Sequence, residues 1–218
     1  MFIGHFGLAL AAKKIAPQVS LGATILAAEF LDAVWPVLVL MGVEKVEIVP
    51  GITRMTPLDF VYYPWSHSLA MALAWGALFA LAYWLASRRM RDALVLGAIV
   101  VSHWLLDWVV HRPDLPLYPG EAERHGLGLW NSLAGSLAIE FALFGAGTLI
   151  YLRCTRALDR IGTYAFWGLV ALLLVSYLGA AFGPPPPSVQ ALALSAFVGY
   201  LMALWGWWID RHREPARS

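Results

Sequence analysis

Six apolar stretches, at residues 18–42, 66–87, 93–111, 131–152, 161–182 and 188–209, constrain this 218-residue chain more than anything else in it. About 20 mostly apolar residues are enough to cross the hydrocarbon core of a bilayer as helix. In that medium every backbone N–H and C=O must be satisfied within the segment, so a single stretch can span only as helix. With 60% hydrophobic and 13% charged residues and a mean hydropathy of +0.67, the sequence predicts an all-α, polytopic membrane helical bundle. About six spanning helices are expected, plus a short N-terminal helix over residues 2–12. Residues 1–152 carry the ionisable side chains, and residues 153–218 read as a C-terminal helical hairpin and tail of the same integrated membrane domain.

Basic clusters fall at Lys13/Lys14, Arg88/Arg89/Arg91, Arg153/Arg156/Arg160 and Arg211/Arg213, all on one side if the spans alternate. The positive-inside rule makes that side the cytoplasm. The expectation is an integral plasma (inner) membrane protein with both termini cytoplasmic. The loops 43–65 and 112–130 then face outward, with Tyr62, Tyr63, Trp65 and Trp130 near their ends as interfacial aromatics. The net charge of +1, its cations confined to short clusters, gives no surface for nucleic acid, and the expected partner is the lipid bilayer. Lys13 and Lys14 follow the first apolar stretch instead of preceding it, the wrong order for a cleavable signal peptide. Cys154, the single cysteine, excludes an intramolecular disulfide and any CxxC metal site, so a metal here must use histidine and carboxylate.

His103, Asp107 and His111 recur every four residues in VLGAIVVSHWLLDWVVH. Steps of four and eight residues advance only about 40° and 80° around an α-helix, so two imidazoles and a carboxylate share one narrow face. Ionisable groups inside a span cost roughly 2.5 to 3.5 kcal/mol each on insertion scales and mark function by default. A chain that turns near Pro17 brings His5 level with Glu29 and Asp32, at a depth close to that of His103. Pro36 is expected to kink the first long span just above Asp32. His67 opens the next span, and Glu140 lies at a similar depth.

Each residue also has a plainer role. His103 and Asp107 could hydrogen-bond only to one another, and His5 could be a polar residue at a helix start. His67 could sit at the interface beside Ser66 as helix N-cap. Glu140 fits hydrogen bonding better than ligation. Arg112 and Asp114 suit an interfacial pair, although Arg112 could bind a phosphate. Asn131 and Ser132 are candidate caps, His125 lies in a loop and His212 in the charged tail.

Mixed imidazole and carboxylate ligation suits a divalent metal, zinc first, with manganese or iron as alternatives. The candidate ligands are His5, Glu29, Asp32, His67, His103, Asp107 and His111, with Glu29 and Asp32 the candidate catalytic carboxylates and Arg112 the candidate substrate contact. A metal lowers the pKa of its water, and a free carboxylate such as Glu29 could take the proton. This is the chemistry of a membrane-embedded metal-dependent hydrolase acting on a phosphoester or related bond of a lipid or amphiphile, with its site toward the outer face. Metal or proton transport uses the same residue types but needs a path to both faces. A haem protein would use histidines without the carboxylates, and a non-catalytic scaffold could hold metal for stability.

The segments GHFGLALAAKK, EFLD, YPWSHSL, SHWLLDWVVHRPDLPLYPG and GLGLWNS together resemble the predicted membrane-bound metal-dependent hydrolases of bacteria. In that family an N-terminal histidine helix, an acidic PDxD-type segment, a histidine before THSL and an SHxxLD helix recur in this order. The resemblance covers roughly residues 1–135 and implies His5, Glu29, Asp32, His67, His103 and Asp107 as the matching positions. EFLD stands where the family is richer in aspartate, and PWSHS lacks the upstream histidine of HRGxTHS.

Overall fold

The computed structural model describes residues 1–216. It is a helical bundle with two small two-stranded sheets at its ends. Helix α1 (Ile3–Ala11) leads through a 3-10 turn at Ala12–Lys14 into α2 (Leu21–Ala28) and α3 (Phe30–Leu40). A hairpin of β1 (Lys45–Ile48) and β2 (Leu58–Tyr62) follows, then the single turn α4 (Pro64–His67). The long helices are α5 (Leu69–Ser87), α6 (Met90–Val110), α7 (Leu133–Cys154) and α8 (Arg160–Phe182), with strand β3 (Thr155–Ala157) between the last two. Helices α9 (Val189–Ala196) and α10 (Val198–Asp210) and strand β4 (Arg213–Pro215) complete the chain.

Five helical segments are long and apolar enough to cross a membrane: α5, α6, α7, α8 and α9 with α10. The pair α2 and α3 makes a sixth if its 53° bend is one broken span. The break corrects the expectation for Pro36. Helix α3 runs through Pro36, and the chain bends at Glu29, whose φ of −96° and ψ of 10° leave the helical region. The bend therefore lies before Asp32. His111 is likewise not part of α6: it is the residue that ends it, with φ −61° and ψ 143°.

Close helix contact rests on glycine. A Cβ on Gly7 of α1 would lie 2.5 Å from the Leu143 carbonyl oxygen of α7, and one on Gly147 would strike Gly7 itself. Gly76 of α5 and Gly97 of α6 face each other, each Cβ position 2.8 Å from the other's carbonyl oxygen. A Cβ on Gly206 of α10 would lie 2.8 Å from the Gly22 nitrogen of α2, and one on Gly22 would lie 2.5 Å from the Ala203 carbonyl oxygen. With hydrocarbon on the outside there is no hydrophobic drive between helices, and such small-residue contacts supply the van der Waals attraction.

The basic clusters gather at one end of the bundle. Arg91 donates to the Ile15 carbonyl, Lys13 lies 3.6 Å from Asp210, and β3 pairs with β4 so that Arg156 faces Glu214. The opposite end is roofed by the β1–β2 hairpin, antiparallel with Lys45 against Tyr62, Glu47 against Asp59 and Ile48 against Leu58. The 111–132 loop completes that roof. The backbone N–H groups of Arg54 and Met55 donate to the Trp130 carbonyl, and those of Leu69 and Ala70 donate to Pro116 and Leu117.

Candidate metal centre

Asp107 is the hub. Its side chain is buried on α6, with Oδ1 3.1 Å from Nε2 of His5. Its Oδ2 lies 3.2 Å from Nε2 of His103, 3.7 Å from Nε2 of His111 and 3.9 Å from Nε2 of His67. Asp32 on α3 adds a second carboxylate, 3.3 Å from Nε2 of His67 and 3.8 Å from Nε2 of His103. The rings of His5 and His103 stack at 3.8 Å. By rise per residue, His103 stands about 20 Å up α6 from Met90 and Asp107 about 26 Å, so the cluster belongs to the roofed end of the spans.

The other face of three imidazoles fixes their protons. His103 Nδ1 lies 2.6 Å from the Ala28 carbonyl oxygen, which can only accept, so Nδ1 carries the hydrogen. That carbonyl is available because the helix breaks at the next residue. His67 Nδ1 lies 2.7 Å from Ser66 Oγ, whose own hydrogen is donated to Glu44 Oε2 at 2.6 Å. Ser66 therefore accepts from His67, and Glu44 is held in turn by the N–H groups of Trp65 and Ser66, both at 2.8 Å. Burial pushes the Glu44 carboxyl upward, against the hydrogen bonds from Ser66 and Trp65. His111 Nδ1 donates to Asp114 Oδ1 at 2.9 Å, an oxygen that also accepts from the Tyr63 hydroxyl at 2.8 Å. Burial, with the Asp114 carboxylate beside it, pushes the Tyr63 phenol well above its usual range and keeps it a donor.

Three Nε2 atoms are thus turned toward two carboxylates, an arrangement that a bound cation would satisfy, and the Met1 ammonium already pairs with Asp107 Oδ1. His103 Nε2 is buried with no hydrogen-bond partner despite its 3.2 Å approach to Asp107. The spacing suits coordination. Bonds of about 2.0–2.1 Å at tetrahedral angles place ligand atoms roughly 3.3 Å apart, close to the shorter nitrogen–oxygen distances of 3.1 to 3.3 Å. His5, His103 and Asp107 form one group that could hold a metal ion, and Asp32, His67 and His103 a second. His103 Nε2 belongs to both, and its other nitrogen is taken by Ala28, so the two groups are parts of one centre. Imidazoles oriented through the opposite nitrogen are the usual supporting arrangement of a protein metal site.

The remaining sequence candidates fall elsewhere. His5 meets Asp107 and His103, not Glu29 and Asp32, because Gly7 and Gly147 seat α1 against α7 while the bend at Glu29 redirects α3. Glu29 stands outside both groups, buried, with Oε1 lacking a hydrogen-bond partner and the side chain lining a cavity beside Asp32. Glu140 accepts from the N–H groups of Phe2 and Gly4 at 2.9 and 2.8 Å and so anchors the start of α1. Arg112, the candidate substrate contact, is engaged by Asp59 and by Asp114 at 3.3 Å and is not among the residues that line the cavity. Ser66 serves His67, and the cap of α5 is Ser68, accepting from Met71 N–H at 3.2 Å. Ser132 caps α7 as expected, 3.1 Å from the Gly135 nitrogen. His125 lies in the roof loop, 3.7 Å from Glu121, and His212 pairs with Asp159 at the basic end.

Glu44, Ser66, Asp114, Tyr63 and the Ala28 carbonyl are the partners that sequence reasoning did not place. The i, i+3 spacing of His111 and Asp114 and the adjacency of Ser66 to His67 were signals for two of them. Glu44, 22 residues from Ser66, left none.

The cavity holds about 490 Å3 and reaches from the cluster to the C-terminal hairpin. Glu29, Asp32, His67, Asp107 and His111 line one end, Trp35, Phe60 and Trp130 the roof, and residues of α8, α9 and α10 the other end. Comparison with protein-family models, curated proteins and solved structures finds no match to the chain.

Proposed function

We propose that the protein is a membrane-embedded metal-dependent hydrolase, as its resemblance to the predicted bacterial membrane-bound hydrolases implies. The observation that carries this reading is the convergence of His67, His103 and His111 through Nε2 on Asp107 and Asp32, each ring held by an acceptor at Nδ1. Zinc is the favoured ion, since nitrogen and carboxylate ligands at tetrahedral spacing suit it best. His103 with either His5 and Asp107 or Asp32 and His67 would hold it, leaving a fourth position for water, with the other group and His111 adjoining. A divalent ion there supplies Lewis acidity and a water made acidic enough to ionise near neutral pH.

Glu29 fits the general base. Its unpartnered Oε1 faces the same cavity as Asp32, and no cation among the described residues pairs with it. It takes the proton of the attacking water as the new oxygen–phosphorus bond forms. It then returns that proton to the leaving alcohol as the ester bond breaks. The substrate class is a phosphoester or related bond in a lipid or amphiphile. The basic end faces the cytoplasm by the positive-inside rule, which puts the centre toward the outer face of a bacterial inner membrane. Leu10, Leu96 and Val100, all buried, lie on the basic-end side of His5 and His103 along α1 and α6, which favours a closed site over a transport path.

The test is elemental mass spectrometry of detergent-purified protein beside a His103→Ala, Asp107→Ala double variant. Near-stoichiometric zinc in the parent, lost in the variant, supports the reading and opens phosphoester screening. No bound metal in a parent reconstituted with zinc, with the variant equally folded, removes it.

A further inference from the structure

The cavity beside the metal centre does not end in the protein. Helices α8 and α10 touch near the basic end, where the Trp205 indole N–H donates to the Ala165 carbonyl at 3.0 Å. Above that point they part: α9 leans on α3, and the cavity fills the gap. Its walls there are Leu172, Leu173, Ser176 and Ala180 on one side and Leu192, Ser195, Ala196, Gly199 and Met202 on the other. Leu173 and Met202 are buried at the back, whereas Leu172, Ser176, Ala180 and Ser195 are exposed at the front. Those exposed residues belong to membrane-spanning helices, so the crevice opens sideways into hydrocarbon.

Height and chemistry agree with one kind of occupant. Leu172 to Ala180 lie about 18 to 30 Å along α8 from Arg160, the level that His103 and Asp107 occupy on α6. One end of the cavity presents imidazoles, two carboxylates and the orphaned, nine-tenths buried Glu29; the other end presents aliphatic and small side chains only. No lysine or arginine among the described residues lines it, and the Met1 ammonium that does is paired with Asp107, so metal is the group that would hold an anionic head. The volume of about 490 Å3 is within the range of pockets that enclose a small ligand. We infer that the crevice between α8 and α9–α10 receives the hydrocarbon chain of a membrane lipid sideways from the bilayer, its phosphorylated head at the metal centre. This rests on the metal-centre reading above and deepens it by naming the substrate as a chain-bearing phosphoester.

A Cβ added at Gly199 meets no atom within 4 Å, so Gly199→Phe fills the crevice without touching the centre. Ser176→Phe does so from the opposite lip. The probe is hexadecyl phosphate carrying a diazirine on its chain, photolysed with zinc-loaded protein in detergent, and the labelled segments are mapped by peptide mass spectrometry. Saturable labelling within 172–180 and 192–202 is expected, with half-saturation raised about tenfold or more in either Phe variant. Zinc content should be unchanged. Labelling that does not saturate, or that both folded, zinc-replete Phe variants retain at parental affinity, overturns the inference. Saturable, variant-sensitive labelling without hydrolysis of the probe upholds the crevice while counting against the hydrolase. Loss of zinc binding by the parent protein overturns both.

Discussion

Replacing Ser66 by alanine tests whether the orientation of His67 matters to metal binding. Ser66 Oγ links His67 Nδ1, at 2.7 Å, to Glu44 Oε2, at 2.6 Å. Its loss leaves a buried N–H without an acceptor whenever Nε2 is held by metal, a penalty of about 1–3 kcal/mol. The metal-free ring is free to turn, so most of this cost falls on the loaded state. Zinc affinity should therefore drop about 10- to 100-fold, the range seen when such supporting partners are removed. The assay is a chelator-competition titration of detergent-solubilised protein, with Ser68→Ala as control. Ser68 is buried two positions away and caps α5, so its loss should cost about 1 kcal/mol of stability without altering zinc affinity. Equal zinc affinities in the two variants would refute the claim that Ser66 and Glu44 set the histidine.

Three other outcomes follow from the same geometry. Glu29→Gln should keep its zinc yet lose about 10²- to 10⁴-fold in turnover of any substrate found, since only proton transfer is removed; full activity would exclude Glu29 as base. Gly147→Ala should lower stability by about 1–3 kcal/mol through the clash with α1 and weaken zinc binding by displacing His5. Gly145→Ala, where a Cβ meets open space, should do neither, and thermal unfolding in detergent with and without zinc separates the two. Asp159 caps α8; the Gly162 N–H and then His212 hold its carboxyl below the ordinary aspartate range. Its stabilisation is complete above that range and is lost as pH falls through the depressed value, so the melting difference between the parent and Asp159→Ala should shrink on acidification and vanish when the carboxyl is protonated.

What could be read from the sequence was what depends on spacing along one helix or on bulk hydropathy. The spans follow from apolar length, and His103 with Asp107 from a four-residue step. Depth counting also brought His5 and His67 to the right level, since the rise per residue fixes height. It could not give azimuth, and His5 turned to α6 instead of α3 because glycines seat α1 against α7. The bend was misplaced for a related reason. Pro36, seventh in α3, removes the hydrogen bond that an N–H there would make to the Asp32 carbonyl, yet the helix runs on, whereas the chain leaves the helix at Glu29 and frees the Ala28 carbonyl for His103. The acceptors behind the histidines come from the single turn α4, a loop and a backbone atom, and only the adjacency of Ser66 to His67 and the three-residue step from His111 to Asp114 hinted at two of them.

The carbonyl of Ala28 has a consequence for how this site tolerates substitution. An oxygen of the main chain is present whatever the side chain, so a mutational scan should pass over position 28 provided the replacement fits its buried space. The vulnerable property is instead the local refusal to be helical at Glu29: a change that let the helix continue would reclaim that oxygen for an N–H four residues on and leave His103 free to turn. The ring's orientation is thereby inherited through a bend in the chain, and two spans that differ freely in side chains must still agree on where one of them breaks.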